Sequence, residues 1–338
     1  MRLESLLAVT GGRLLNDPFV THFDNLATSL KNVARGSLFI AKTEEEIAPA
    51  LEKGAYGIMT EFSPTLLDEE VAWITVPSIS DTLPKLLRLW LIENPRKFYA
   101  VSSTVLAFMD QMNYDHAVLV LQGGIDTMSG AILESAPSQM LLCSDRTFMD
   151  RLGISADRFD IPALGAKIVS ERLFETSAVI NGHYYERLPV APCTFADFIE
   201  ALSVFEHLGT HYTLKHLHHI SAFDPVFLDA FGNEIPYGTG ERVVILSDTT
   251  ESCNCVNSME RLRWVPRRIY LPTQIKFECD IKISIERYDT IQSLIGTLRD
   301  TLKKRGYTLI VGMTRERFFD AMNRYGAVTQ PYSTKGLF

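Results

Sequence analysis

The stretch at residues 28–60 restricts the fold more than any other part of the chain, because it has the pattern of a strand, a helix and a second strand. Arg35-Gly36 predicts a turn, and the apolar residues 38–41 that follow predict a short strand. A further apolar run at residues 56–59 predicts the second strand. Strands joined by a helix are the repeating unit of parallel sheets, so this stretch predicts an α/β domain.

The helix between these two strands has clear signals at both ends. Thr43 and Glu46 have the spacing of a capping box, and the glutamates at 44–46 place negative charge at the helix N-terminus. Apolar residues at 47, 50 and 51 share one helical face. Gly54 is a residue type that ends helices, so the helix is predicted to stop there.

Strands and helices alternate through the rest of the 338-residue chain, which has room for two or three domains. Apolar runs predict strands at residues 73–80, 98–101, 116–122, 139–144, 242–248, 268–271 and 307–311. Helical periods predict a helix capped by Asp81 or Thr82 and further helices at 194–208, 290–304 and 315–323. Residues 153–182 show neither period and are expected to be irregular.

Composition excludes several classes of partner. The chain is 46% hydrophobic and 22% charged, with a net charge of −8, which argues against nucleic acid or an anionic membrane as the main partner. No run approaches the roughly 18 apolar residues that a membrane span needs, and residues 1–10 do not have the pattern of a signal peptide. The five cysteines are widely spaced, so we expect free thiols and a cytoplasmic location.

The strand–helix–strand stretch also resembles a known family. Its two halves read Val33-x-x-Gly36-x-Leu38-Phe39-Ile40-Ala41 and Ala50-Leu51-x-Lys53-Gly54-Ala55-x-x-Ile58. This pattern is similar to the N-terminal domain of the Mur ligases, ATP-dependent enzymes that add amino acids to UDP-N-acetylmuramic acid, and most of all to the member that adds D-alanyl-D-alanine. The resemblance extends by order and spacing over residues 28–325.

The resemblance implies a three-domain α/β architecture. Residues 1–82 would form the N-terminal domain, residues 83–240 a reduced central domain with a parallel sheet, and residues 241–338 a Rossmann-like C-terminal domain. The helix ending Glu206-His207-Leu208-Gly209 is similar to the one that leads out of the central domain in the family.

The central domain lacks the loop that binds ATP phosphates. Such a loop needs the pattern Gly-x-x-x-x-Gly-Lys-Ser/Thr, in which backbone amides and the lysine hold the phosphates and the hydroxyl binds magnesium. Residues 101–110 read VSSTVLAFMD, with no glycine or lysine between Lys97 and Gly123. We therefore predict that strand and helix are joined directly and that no P-loop is present.

The resemblance implies four further replacements at positions that serve nucleotide or metal in the family. Gln122 would stand for a magnesium-binding glutamate, and its neutral amide is a poorer ligand for a hard cation. Phe148 would stand for a histidine, and Val311 for a lysine. The segment after Asp248 runs two residues longer than the family motif. We therefore expect no catalytic residues, no metal site and no cofactor.

One candidate ligand site follows from the resemblance. In the family, the segment just before Val33 contacts the uridine part of the sugar nucleotide. The residues that this assigns as ligand-binding candidates are Ser29, Lys31 and Arg35.

The sequence contains two sets of potential metal ligands, and we expect neither set to bind a metal. His207 and His211 are four residues apart, with His216, His218 and His219 following, and two imidazoles at that spacing can share a metal on a helix. Gly209 lies between the first two, so we expect the helix to end and the spacing to lose its meaning. Cys253 and Cys255 are predicted to lie in a loop without further ligands at zinc-binding spacing.

These observations favour a non-catalytic relative of the Mur ligases. We expect a binding or scaffold protein linked to peptidoglycan precursor synthesis in a bacterial cytoplasm. Its partner would be a cell-wall synthesis protein, with a weak UDP-sugar contact as the other use of the site. Two alternatives are an active ATP-dependent amide ligase with a rebuilt site and a metal-dependent enzyme that uses the histidines at 207–219.

Overall fold

The structure is a computed structural model that describes residues 1–112, 117–154, 164–248, 253–262, 265–275 and 282–325. The chain forms two compact units. The first contains residues 1–106 and 114–160, and the second contains residues 107–113 and 161–338. Among the described residues, no helix is long and apolar enough to cross a membrane.

The first unit begins with a sheet built around the 28–60 stretch. Its strands are β1 (Arg13–Leu14), β2 (Asn25–Ala27), β3 (Ser37–Ile40), β4 (Ala55–Thr60) and β5 (Ala72–Thr75). They lie in the order β1-β5-β4-β3-β2, with β1 antiparallel and the other neighbours parallel. Its helices are α1 (Leu3–Thr10) and α2 (Ile47–Glu52). The strand–helix–strand prediction is confirmed.

The predicted end signals of that stretch have the expected geometry. The capping box of Thr43 and Glu46 forms at the start of a 3₁₀ turn, Glu44–Glu46, that leads into α2. Gly36 and Gly54 have φ angles of +85° and +88°, which favour glycine, and the Gly36 amide donates to the Gly54 carbonyl. The two turns therefore support each other.

A second, parallel sheet completes the first unit. Its strands are β6 (Lys97–Ala100), β7 (Val118–Leu121) and β8 (Met140–Cys143), in the order β6-β8-β7. The accompanying helices are α3 (Ile79–Glu93), α4 (Ser103–Gln111), α5 (Ile125–Glu134) and α6 (Arg146–Leu152). Helix α4 crosses the boundary between the units, since its residues from Ala107 belong to the second.

The predicted start of α3 was wrong. The helix begins at Ile79, and its cap is Ser78, whose hydroxyl accepts from the Asp81 amide at 3.2 Å, rather than Asp81 or Thr82. Strand β5 correspondingly ends at Thr75 instead of continuing to residue 80. Ser78 directly precedes the first helical residue, and serine is a preferred N-cap residue, so Ser78 caps the helix.

The second unit contains an antiparallel sheet where irregular chain was expected. Its strands are β9 (Ala166–Glu171), β10 (Thr176–Ile180) and β11 (His183–Leu188), in the order β11-β10-β9. Tyr184 and Tyr185 lie in β11. β9 is exposed along most of its length and has a weak alternation of burial, which is why its sequence lacks a clear strand signal.

A larger sheet forms the rest of the second unit. Its strands are β12 (Asp224–Leu228), β13 (Arg242–Ser247), β14 (Arg267–Pro272), β15 (Ile285–Tyr288) and β16 (Gly306–Val311), in the order β12-β13-β16-β14-β15. β12 is antiparallel to β13, and the other neighbours are parallel. The helices of this unit are α7 (Phe195–Leu208), α8 (Cys253–Glu260), α9 (Ile291–Leu302) and α10 (Arg315–Tyr325).

Helix α7 was predicted well. Gly209 ends it with a φ of +62°, and the stripe of apolar residues along it is buried. Phe198 of this stripe meets Phe108 of α4 edge-on, with ring centroids 5.3 Å apart. The apolar stripe of α7 is therefore part of the core of the second unit.

One loop prediction was wrong, and others lie outside the described residues. Cys253 and Cys255 lie in helix α8, not in a loop. Residues 249–252, where the segment after Asp248 was expected to be two residues longer than the family motif, lie outside the described residues. His116, Cys279 and the tail from Gln330 also lie outside the described ranges.

The fold predicts different costs for two glycine substitutions. Gly306 has a φ of +142°, and a Cβ there would lie 2.5 Å from the Pro266 carbonyl oxygen. Gly209 also has a positive φ but open space around it. Gly306→Ala should lower the free energy of unfolding by roughly 2–4 kcal/mol, and Gly209→Ala by about 1 kcal/mol. Calorimetric unfolding of both variants checks this, and equal losses would contradict the close approach at Gly306.

Candidate functional site

The candidate ligand segment forms a tight turn after β2. Ser29 has an extended backbone and precedes a 3₁₀ turn, Leu30–Asn32, which the Lys53 ammonium supports by donating to the Leu30 carbonyl at 2.8 Å. The Ser29 hydroxyl oxygen is buried and has no hydrogen-bond partner among the described residues. A buried, unpaired hydroxyl costs free energy, so a hydrogen-bonding group brought to this point would stabilise the turn.

Lys31 is bound to a carboxylate of helix α5. Its ammonium lies 3.0 Å from Oε1 of Glu134, and the Asn32 amide donates to the same oxygen at 2.6 Å. Glu134 is the last residue of α5, so the turn holds the end of that helix.

A second lysine, Lys42, follows β3 and pairs with the other end of α5. The Lys42 ammonium lies 2.7 Å from Oδ2 of Asp126, in the first turn of the helix. Between the two pairs, α5 approaches β2 closely, since a Cβ at Gly130 would lie 3.5 Å from the Thr28 hydroxyl. Helix α5 therefore lies along the segment from Thr28 to Lys42, with a carboxylate at each end.

The contact with α5 lowers the pKa of Glu134. The hydrogen bond from Asn32 is the largest cause and the hydrogen bond from Lys31 the next. Because both groups favour the ionised carboxylate, Glu134 stays charged and neutralises Lys31. An anionic ligand can therefore pair with Lys31 or Lys42 only if the ligand displaces the carboxylate of Glu134 or Asp126.

Arg35 has a different environment. Its Nε donates to the Tyr56 hydroxyl of β4 at 3.1 Å, and its backbone lies against Gly54, where a Cβ would meet the Arg35 Cα at 3.2 Å. The structure thus places Ser29 and Lys31 on one turn beside α5 and gives Arg35 a partner in β4. The assignment of these three residues to a ligand stays a prediction.

Sequence reasoning missed the residues that now define this face. They are Asn32, Glu134 and Asp126. Only one signal was available: the acidic residues lie at the two ends of a single helix and the lysines at the two ends of the 28–42 segment. Nothing in the sequence shows that the helix and the segment are adjacent.

The position of the missing P-loop is a two-residue connection. β6 ends at Ala100 and α4 begins at Ser103, so only Val101 and Ser102 join them. The Ser102 hydroxyl accepts from the Val105 amide at 3.1 Å, and the Ser102 carbonyl accepts from the Leu106 amide at 3.1 Å. The Val105 amide, near the start of the helix where a P-loop would direct amides at phosphate, is here used in capping the helix.

The residues that follow the neighbouring strands have different environments. Gln122 follows β7 and is exposed. Phe148 is 2% exposed and packs in the core of the first unit, within helix α6. Asp145 caps that helix by accepting from the Phe148 amide at 2.9 Å. The carboxyl ends of parallel strands are where α/β sheets bind ligands, and here Asp145, after β8, serves as a helix cap.

The position assigned to a lysine in the C-terminal sheet is also core. Val311 ends β16, is fully buried, and packs with the apolar residues of β13 and β14. Met313, two residues later, is fully buried too, and its amide donates to the Ser247 carbonyl at 3.0 Å.

The histidines at 207–219 do not converge. His219 is largely buried, which lowers its pKa, and its Nε2 lies 3.1 Å from the Phe174 carbonyl oxygen. His218 Nδ1 lies 3.0 Å from the His216 carbonyl oxygen. Within the described ranges, no group of three or more His, Cys, Asp or Glu side chains is placed to hold a metal ion.

Comparison with solved structures identifies the architecture. A MurF ligase from Thermotoga maritima, solved in complex with ADP, matches 89% of this chain and 97% of its own, with a TM-score of 0.50 and 13% sequence identity. The chain has a Mur ligase-like fold. At this identity the likeness concerns the fold alone.

Other matches of lower structural similarity include two further ligases. A UDP-N-acetylmuramoylalanyl-D-glutamyl-2,6-diaminopimelate–D-alanyl-D-alanyl ligase from Acinetobacter baumannii covers 97% of this chain and 98% of its own, at 10% identity and a TM-score of 0.47. A murein peptide ligase from Psychrobacter arcticus covers 87% and 94%, at 7% identity and a TM-score of 0.38. No protein-family model and no curated protein sequence matches the chain.

The lowered pKa of Glu134 gives the contact between α5 and the 28–42 segment a testable pH dependence. The folded pKa of Glu134 lies below the ordinary value of 4.5, so the contact stabilises above that pH and is lost as the pH falls through the lowered pKa. Glu134→Gln should therefore reduce the free energy of unfolding at pH 7 by less than about 1 kcal/mol, since the pair is partly exposed. The difference from wild type should shrink below pH 4.5.

Urea unfolding at several pH values measures this difference. Glu52→Gln, an exposed glutamate of α2, is the matched control and should show no such trend. A Glu134→Gln deficit that persists unchanged into acid would contradict the assigned role of the carboxylate.

Proposed function

We propose that this protein is a non-catalytic member of the Mur ligase-like fold that acts as a binding or scaffold protein in peptidoglycan precursor synthesis. The proposal includes a bacterial cytoplasmic location, where the precursors are made. The MurF ligase that shares the fold is described as a complex with ADP. In this chain we infer that the corresponding nucleotide chemistry has been lost.

The observation that carries the proposal is the two-residue connection between β6 and α4. A phosphate-binding loop needs several consecutive backbone amides that face the ligand and a lysine that reaches the terminal phosphates. Ser102 instead caps α4 with its side chain, and the connection contains no lysine. A nucleotide could approach this helix end only by displacing the cap.

The packing of Phe148 and Val311 supports the same conclusion. Both residues are buried in apolar cores, so neither position can present a charged or metal-binding group without opening a core. Replacing a charged residue by a packed apolar one stabilises the fold when the charge has no partner to serve.

The binding face we propose is the turn around Ser29, Lys31 and Arg35, with a cell-wall synthesis protein as the favoured partner. An unpaired buried hydroxyl at Ser29 and two lysines held only by exposed ion pairs leave this face polar groups to offer. A small sugar nucleotide needs an enclosing pocket, whereas a protein partner can use an open surface of roughly 800 Å². A weak UDP-sugar contact through Ser29 and Lys31 is the other use we consider.

The enzyme alternatives receive less support. An active ligase with a rebuilt site would need phosphate-binding groups at the carboxyl ends of β6, β7 and β8, where Ser102 and Asp145 act as caps. A metal enzyme would need ligands from the histidines at 207–219, whose ring nitrogens at His218 and His219 face backbone carbonyls.

Nucleotide binding provides the first test. Titration calorimetry with magnesium-ATP up to millimolar concentration should give no saturable heat, because neither the phosphate cradle nor its lysine is present. A thermal-shift series under the same conditions should show no rise in Tm. A saturable affinity in the micromolar range would overturn the non-catalytic proposal.

Charge reversal at the proposed face provides the second test. Lys31→Glu faces Glu134 and should abolish capture of a cell-wall synthesis protein from native lysate and any response to UDP-N-acetylmuramic acid. The double variant Lys31→Glu/Glu134→Lys restores the intramolecular pair with the charges exchanged. It should keep wild-type stability but still fail to bind, which separates loss of binding from loss of fold.

Lys85→Glu, at an exposed position of α3, is the charge-matched control and should bind as wild type does. If Lys31→Glu retains every captured protein, and the wild-type protein does not respond to the sugar nucleotide, the proposed face is wrong.

A further inference from the structure

Two cysteines that are distant in sequence meet in the second unit. Cys193 lies in a 3₁₀ turn, Pro192–Thr194, that leads into α7, and Cys255 lies in α8. Their sulfur atoms are 2.8 Å apart. Non-bonded carbon atoms pack at about 3.5–4.0 Å, and sulfur is larger, so this approach is closer than simple packing would give.

The pair is set in a supported environment. Cys255 is 4% exposed and belongs to an apolar core that includes Val256, Met259 and Ile269, against which the half-buried Cys193 packs. The turn and α8 contact each other along several residues. Both sulfurs are therefore positioned by packing, and a bond of about 2.05 Å needs a shift of less than an ångström.

We propose that Cys193 and Cys255 are a reversible disulfide site, which closes when the protein meets a small disulfide such as oxidised glutathione. Each protein thiol loses one proton, and the two electrons pass to the small disulfide, which is reduced to two thiols. The protein gains one S–S bond between the turn before α7 and helix α8. In a reducing cytoplasm both residues remain thiols.

The exposures of the two residues set the order of the steps. The half-buried Cys193 is the accessible sulfur, so it attacks the small disulfide first and releases one thiol. Cys255 then attacks the Cys193 sulfur of this mixed disulfide and releases the second thiol. Because Cys255 is enclosed, a large oxidant cannot reach it directly.

The chemistry of Cys255 fits its role as the second nucleophile. Its pKa is raised, first by the hydrogen bond with the Cys193 thiol and then by burial. Cys255 is therefore held as a thiol near neutral pH. Once Cys193 has formed the mixed disulfide, it no longer has a thiol that hydrogen-bonds to Cys255. The larger of the two causes that raise the pKa of Cys255 is then removed, so Cys255 ionises more readily.

Closure would join residues 62 positions apart and restrict the unfolded chain. For a ring of this length we expect the Tm of the second unit to rise by roughly 5–10 °C. Reduction would reverse this rise, which makes the stability of α8 dependent on the thiol–disulfide balance.

The test uses the full chain equilibrated with mixtures of reduced and oxidised glutathione. Free thiols are then alkylated, and the protein is analysed by intact mass and by peptide mapping. We expect an oxidised form lighter by two hydrogen atoms, a peptide pair linked through Cys193 and Cys255, and the higher Tm. Cys193→Ala and Cys255→Ala should each abolish the linked pair and the rise in Tm.

Cys253→Ala is the matched control, because it lies two residues from Cys255 in the same helix and should leave the linkage intact. Linkage of Cys193 to Cys253, or alkylation of both Cys193 and Cys255 in excess oxidised glutathione, would overturn the proposal. So would one zinc ion per chain in the purified protein that is lost in Cys193→Ala, since the pair would then be part of a metal site. Peptide mapping of the wild-type chain decides the matter even if a variant does not fold.

Discussion

The apolar core shared by the two sheets of the first unit is the constraint on which the rest of the structure depends. It takes residues from the N-terminal sheet, such as Leu38 and Met59, from the length of α3, and from β8 and α6. Its members are almost all fully buried, and such burial is the dominant stabilising term in a domain. Phe148 belongs to this core, so a polar group at that position would have to be buried among apolar side chains.

Several polar groups around this core hold helix ends. Ser102 caps α4, Asp145 caps α6, and Glu134 ends α5 against Asn32 and Lys31. Ser102 and Asp145 lie at the starts of α4 and α6, directly after the carboxyl ends of β6 and β8, where α/β proteins often bind substrates. A cap satisfies helix amides that a bound phosphate would otherwise satisfy. The fold can therefore keep its helices in place without a nucleotide.

Most of the fold could be predicted from the sequence, whereas little of the candidate site could. The strand–helix–strand stretch, α7 and the C-terminal strands have strong apolar periods and end signals, so their positions follow from local chemistry. The β9–β11 sheet and α8 were missed because β9 and β11 are mostly exposed and α8 is rich in polar residues, so these elements give weak apolar periods. The contacts of Lys31 with Glu134 and of Cys193 with Cys255 join residues 103 and 62 positions apart. Such pairs depend on tertiary packing, which a single sequence does not show.

The energetics of the α5 contact bear on how the proposed face would work. Lys31, Lys42, Asp126 and Glu134 all have side chains at least 43% exposed, and exposed ion pairs contribute at most about 1 kcal/mol. An incoming carboxylate or phosphate can therefore replace Glu134 or Asp126 at small cost, while the apolar core beneath keeps α5 in place. The stable core under these weakly paired surface charges is therefore compatible with the binding face that we propose.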